Sequence, residues 1–185
     1  MIIKYMSLDP SLTNTAVVWG EIDIATDTIR PIGYELINTV KTTLKTIRAS
    51  SDLVRRCRTI NEKLHPLIEN YNPAVVFVET PSGSQNYSGA ISYAVSCYLI
   101  GTINPPPIEV TPLEVKMSSV GKGTASKKDV MNYCLKNFPD FPYERKKDGS
   151  LVENKMEHVC DSIATSVAGI KSKQYTQIKN FFKLN

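Results

Sequence analysis

Two acidic residues stand where hydrophobic runs stop: Asp9 after Ile2-Ile3-Lys4-Tyr5-Met6-Ser7-Leu8, and Glu79 after Ala74-Val75-Val76-Phe77-Val78. Both runs read as β-strands, and in open α/β sheets ligand sites gather at the carboxyl ends of strands. If the two strands are neighbours, these carboxylates meet at one edge of the sheet. A third polar group lies far along the chain, in Glu157-His158-Val159-Cys160-Asp161. Helical positions three apart share a face, so His158 and Asp161 project together. Around them Val159, Ile163, Ala164, Val167, Ala168 and Ile170 are small or apolar, as in a helix packed closely on a sheet. An acid in such company needs a partner, because burying an unpaired carboxylate is costly.

Each feature alone has a simpler account. Strands commonly end on a polar residue, and an acid near the start of a helix is favoured by the helix dipole. Taken together, three carboxylates and an imidazole predict a cation site formed by Asp9, Glu79, His158 and Asp161. Oxygen ligands suit Mg²⁺ or Mn²⁺. Two such ions about 4 Å apart can clamp the attacking water and the leaving oxygen of a phosphodiester. His158 would ligate the second ion or help activate the water. Zinc is disfavoured: Cys57, Cys97, Cys134 and Cys160 form no CxxC pair and have no histidine at ligand spacing. They read instead as small core residues in a reducing compartment.

The elements that must position these groups follow from pattern. After the first strand, β-rich stretches cover Thr15 to Gly20 and, more weakly, Ile32 to Val40. From about Arg48 to Asn70 the period becomes helical, with Leu53, Cys57, Ile60, Leu64, Leu67 and Ile68 on one face, until Asn72-Pro73 stops it. The run ending at Glu79 is apolar throughout, as in a strand covered on both faces. A glycine- and serine-bearing loop (81–89), a helix from Ala90 to Ile100 and a short strand Ile108-Glu109-Val110 follow. A basic stretch from Lys116 to Lys128 leads into a helix ending near Asn137, and a further helix runs from about Asn154 to Ile170. This order predicts one domain, a mixed five-stranded α/β sheet with helices on both faces.

The 185 residues suffice for a hydrophobic core, and 42% apolar with 22% charged residues excludes disorder as the default. The balance of 22 Lys+Arg against 18 Asp+Glu gives +4, a mild lean toward an anionic partner. Neither a signal peptide nor an apolar span of membrane length is evident, so a cytoplasmic protein without a membrane partner is expected.

The order of motifs resembles the RuvC-type Holliday junction resolvases. Leu8-Asp9-Pro10-Ser11-Leu12-Thr13-Asn14-Thr15 is similar to their opening motif, Val76-Phe77-Val78-Glu79 to their second, and Glu157-His158-Val159-Cys160-Asp161-Ser162-Ile163-Ala164 to their last. Between these, Thr111 to Lys116 and Val120 to Lys127 resemble the family's basic segment. The resemblance covers roughly residues 2 to 170. Ser11 and Asn14 stand where the family often has glycine, and His158 where many relatives have aspartate.

The resemblance implies an RNase H-like fold and a metal-dependent endonuclease cutting branched DNA, above all four-way junctions, as a homodimer. It implies two Mg²⁺ per site, with Mn²⁺ a possible substitute, held by Asp9, Glu79, His158 and Asp161. Lys127 and Lys116 would neutralise phosphate charge, Lys122 and Lys128 would add salt-dependent affinity, and Tyr87 in the 81–89 loop would be an aromatic wedge. The helix face of Ile91, Ala94, Val95, Tyr98 and Leu99 is a candidate for the two-fold contact, with packing on the sheet the alternative by periodicity. The basic tail at 171–185, with Lys171, Lys173, Lys179 and Lys183 beside Tyr175, Phe181 and Phe182, would reach DNA or pack on the body. Rival readings are an RNase H-like nuclease for flaps or RNA–DNA hybrids, a junction-binding module without catalysis, and an actin-like ATPase. The last is disfavoured because the first turn lacks glycine and no second phosphate loop is evident.

Overall fold

Alternation along the first strand decides which helices meet which face of the sheet. In β1 (Ile2–Asp9), Met6 and Leu8 join one core cluster with Val76 and Val78 of β4 (Val75–Glu79). Tyr5, with Phe77 of β4, joins another on the opposite face, as the period of two requires. The computed structural model describes residues 1–83 and 86–184. Ser84 and Gln85 of the 81–89 loop, the terminal Asn185 and the side chains of Lys183 and Leu184 lie outside the described residues.

The sheet has five strands in the order β3-β2-β1-β4-β5. β2 (Asn14–Asp23) runs antiparallel to both β1 and β3 (Thr28–Asn38). β1 pairs in parallel with β4, and β4 with β5 (Ile108–Val110). This mixed α/β sheet carries helices on both faces, as expected for an RNase H-like fold. Strands one and four are neighbours, and their last paired residues are Leu8 and Val78. One step further, Asp9 and Glu79 therefore end their strands side by side.

One face is covered by α1 (Ala49–Tyr71) and α2 (Tyr87–Gly101). Ile60, Leu64, Ile68, Val95 and Leu99 are buried there against Met6, Leu8, Val76 and Val78. The other face carries α5 (Glu153–Gly169), with α4 (Lys127–Asn137) and α3 (Pro112–Ser119) outside it. α5 lies so close that a Cβ on Gly169 would stand 2.0 Å from the Phe77 ring. α6 (Lys173–Leu184) seals the same face at the far end of the strands. Tyr175 is buried there against Phe77, and Lys179 pairs with Asp27 at 2.5 Å.

The tail forms α6 and packs on the body, one of the two expectations for it. Other expectations need correction. α3 is absent from the elements expected from pattern, although Thr111-Pro112-Leu113-Glu114 carries its signal: a reciprocal capping box with proline in the first turn. α2 begins at Tyr87 rather than Ala90, and its expected contact face divides. Val95 and Leu99 are buried in the core while Tyr98 is 52% exposed. Of the four cysteines only Cys134 and Cys160 are core residues; Cys97 is exposed and Cys57 half-buried. Among the described residues no helix is long and apolar enough to cross a membrane.

Candidate functional site

Asp9 is the last residue of β1, and the turn that follows is gripped from the α1–α2 face. Ser96 Oγ of α2, buried, donates to the Pro10 carbonyl at 2.9 Å. Arg56 of α1, 93% buried at 7% exposure, donates from Nη2 to the Leu12 carbonyl (3.1 Å) and Thr13 Oγ1 (3.0 Å). Its Nε donates to Thr39 Oγ1 at 2.8 Å, tying the turn to the end of β3. A buried guanidinium persists only when its donors are used, and here backbone and hydroxyl oxygens accept them.

α5 brings the second half of the site from the other face. Ser162 Oγ donates to the Ser7 carbonyl at 2.8 Å and lies 3.2 Å from Ser7 Oγ, all within the core. This pin fixes the register of α5 on β1 two residues before Asp9 and one residue after Asp161. His158, one turn earlier on α5, places Nδ1 3.1 Å from Asp9 Oδ2. Asp161 lies in the third turn of its helix, beyond the reach of the N-terminal dipole invoked as its simpler explanation.

The acids act on one another through their charges. Burial, and after it the charges of Asp9 and Asp161, push Glu79 up to about 8. Burial and then Asp9 push Asp161 up to about 7. Neither effect includes a hydrogen bond to either carboxylate. Opposing charge comes from Lys116 and Lys127 at Glu79, and from Lys127 and His158 at Asp161. Lys127 also holds Glu157 at 3.0 Å. The hydrogen bond to Asp9 raises the His158 pKa against the opposing effect of burial.

The structure thus brings together Asp9, Glu79, His158, Asp161 and Lys127, with Lys116 close enough to be felt. Lys122 and Lys128 stand apart: both are exposed, and Lys122 acts on Asp129 instead. Tyr87 is 82% exposed at the first turn of α2. It rims a groove of about 440 Å³ lined by Leu12, Thr13, Lys41, Ser50 and Arg56. Ser7, Ser162, Ser96, Arg56 and Asn14 are the site residues that sequence reasoning missed. Arg56 and Ser96 lay within recognised helices, yet nothing local distinguishes a polar side chain that will reach a turn from one that will face water.

Among the described residues no three His, Cys, Asp or Glu side chains are already arranged as a metal site. The donor set nevertheless fits a hard divalent cation: oxygen-rich, partly shielded, and carrying more negative charge than its lysines offset. Carboxylates that raise one another's pKa are held apart by repulsion that a cation would relieve.

No protein-family model matches the sequence. The chain is 28% identical over 130 residues to the crossover junction endodeoxyribonuclease RuvC of Pseudothermotoga lettingae, covering 67% of this chain and 75% of that one. It is 29% identical over 150 residues to the protein of the same name from Methylobacillus flagellatus, covering 77% and 79%. Among solved structures it resembles Thermus thermophilus RuvC in complex with Holliday junction substrate, with a TM-score of 0.62 and 17% identity over 90% of this chain and 92% of that one. A second Thermus thermophilus RuvC structure gives a TM-score of 0.56 and 17% identity over the same shares. These structural matches show a shared fold.

Proposed function

We propose that this chain, which resembles the RuvC-type Holliday junction resolvases of the RNase H-like superfamily in motifs, sequence and fold, is a metal-dependent endonuclease that resolves four-way or branched DNA. The observation that carries this reading is the convergence of Asp9, Glu79 and Asp161 from two strands and a helix, with their charges coupled.

Asp9, Glu79 and Asp161 would hold Mg²⁺ or Mn²⁺, with His158 as the fourth candidate. Such ions, when bound, polarise a phosphodiester and make water a better nucleophile near neutral pH. The protein's own residues do the rest. The Ser7–Ser162 pin and the Arg56–Ser96 grip hold the acids from opposite faces, so little reorganisation is needed when substrate arrives. Lys127, at the start of α4, and Lys116, on α3, place positive charge where a scissile or adjacent phosphate would lie. Lys122 and Lys128 would contribute sequence-independent, salt-sensitive affinity.

Cleavage of a labelled synthetic four-way junction in Mg²⁺ tests the proposal. Wild type should give paired symmetric nicks, while Asp161→Asn should cut about 10³-fold more slowly or less yet still bind the junction. Tight binding without cutting by wild type in either ion would favour a binding module. Preference for flaps or RNA–DNA hybrids would keep the site and overturn the substrate.

A two-fold dimer would match the near two-fold symmetry of a four-way junction. The supporting observation is the outer α1–α2 surface, where Val54 (57%), Tyr93 (42%) and Tyr98 (52%) are exposed. Tyr98 also lines a groove of about 490 Å³ with Leu53, Val54 and Cys57. Tyr98→Glu should shift the protein from dimer to monomer in light scattering and convert paired nicks into single ones. A protein that is monomeric before mutation would remove this part of the proposal.

A further inference from the structure

Positive charge is unevenly placed along the chain. Between Lys41 and Arg58 stand six bases, Lys41, Lys45, Arg48, Arg55, Arg56 and Arg58, against one acid, Asp52. Six less one gives +5 in a chain whose total is +4, so the rest of the molecule carries −1. Asp52 is buried, and the surface of this segment therefore shows bases alone. Lys41, Lys45 and Arg48 are exposed and meet no acid among the described residues, whereas Arg30, Lys127, Lys155 and Lys179 each face one. A solvated face mixes its signs; an unmixed row of cations points to an anionic partner. Val40, Leu44 and Ile47 alternate with these cations in sequence and are also exposed.

The segment is fastened beside the carboxylates. It begins where β3 ends: Asn38 donates to Asn14 at 2.5 Å, and the Asn14 side chain reaches His158. The Thr39 N–H donates to the Thr13 carbonyl at 2.9 Å, in the turn that follows Asp9. Arg55 ties the loop to α1, donating to the Val40 carbonyl at 2.7 Å and to Asp52 at 2.6 Å, while Asp52 accepts the Thr42 N–H at 3.3 Å. Lys41 lines the groove of about 440 Å³ that Leu12 and Thr13 also line. These cations thus stand on the α1 side of the sheet, and Lys116 and Lys127 on the side of α5. The two groups flank the ends of β1 and β4 from opposite faces.

We propose that Lys41, Lys45 and Arg48 form a second phosphate-binding surface, which holds the backbone of a DNA arm on the α1 side while Lys116 and Lys127 neutralise the phosphate to be cut. That DNA is the partner rests on the nuclease reading above; the surface itself is read from binding alone. A DNA backbone answers both features of the loop. Its phosphates match a row of bases whatever the sequence, and each contact releases condensed counterions. Its sugars and base faces give Val40, Leu44 and Ile47 apolar surface to cover. Because Arg55 and Asp52 hold the loop in place, the cations are presented without ordering a free segment first.

Fluorescence anisotropy of metal-free protein with a labelled four-way junction, repeated from about 50 to about 300 mM salt, tests the surface. The combined variant Lys41→Gln, Lys45→Gln, Arg48→Gln should bind on the order of 100-fold more weakly near 0.1 M salt, and its slope of log affinity against log salt should fall by about 3. Lys45→Gln alone should lower the slope by about 1, which decides the matter if the combined variant melts early. A control, Lys4→Gln, Lys63→Gln, Lys136→Gln, removes the same charge from exposed positions elsewhere and should keep the wild-type slope. Slopes unmoved by the loop substitutions overturn the proposal, and are what a loop built for an acidic protein would give. An equal fall in the control also overturns it, since net charge would then explain the binding. If wild type binds the junction but cuts nothing in Mg²⁺, the nuclease reading fails, while the salt slopes still decide the surface.

Discussion

Glu79→Gln is expected to raise the melting temperature of the metal-free protein near pH 8 by roughly 5–10 °C while removing DNA cutting. Glu79 titrates near 4.5 when free and at about 8 in the fold, because burial and then the charges of Asp9 and Asp161 oppose its ionisation. Between those values the unfolded chain has lost the proton and the folded chain retains it. Stability therefore falls as pH rises from about 4.5 to about 8, the reverse of an acid held in a salt bridge. At about 1.4 kcal/mol per unit, discounted for residual solvent, Glu79 costs the fold roughly 3 kcal/mol at the upper end of that window. Glutamine keeps the shape, cannot ionise and gives up no hydrogen bond among the described residues. Thermal melts of wild type and variant from pH 5 to 8.5 measure the effect. Wild type should lose stability with rising pH and regain it on adding Mg²⁺, whereas the variant should be flatter and respond less to the ion. Parallel curves, with no gain near pH 8, would sink the claim that these carboxylates repel one another in the fold.

Gly169→Ala carries the largest expected loss of stability, about 3 kcal/mol or more and on the order of 10 °C in Tm. Its new methyl would stand 2.0 Å from Phe77 Cδ1 and 2.6 Å from two other ring atoms. Phe77 cannot yield, since it is fully buried between Tyr5 and Tyr175. α5 must lift from the sheet, and it also carries His158 and Asp161, so cutting should fall with stability. Gly101 supplies the control: it closes α2, and a methyl there meets nothing within 4 Å. Alanine at that position should be neutral or mildly stabilising. Equal melting temperatures for the two variants would show that α5 packs less tightly than the structure has it.

Much of this arrangement is written in local pattern. The two acids at strand ends, the helical face of α1 and the small-residue face of α5 all follow from periodicities of 2 and 3.6, because burial selects apolar side chains at the spacing of the backbone. His158 and Asp161 share a face for the same reason. The family resemblance lay in the same short motifs, each tied to the end of an element or to one helix face. Two capping boxes, at Thr111 and Ser126, are equally local signals.

What tertiary structure alone decided are pairings between residues far apart in the chain. Whether Asp9 meets Glu79 depends on β1 lying beside β4, which no local pattern specifies. Arg56 and Asp52 are buried on α1 although both are charged, because oxygens of the β1–β2 turn and Arg55 await them. Ser7 and Ser162, 155 positions apart, meet in the core. Asn14 reads as a turn residue until β3 and α5 surround it. Cys97 reads as core, yet its helix turns it to solvent. A polar side chain takes its role from the partner that satisfies it, and in this protein those partners arrive only once the sheet has closed between its two layers of helices.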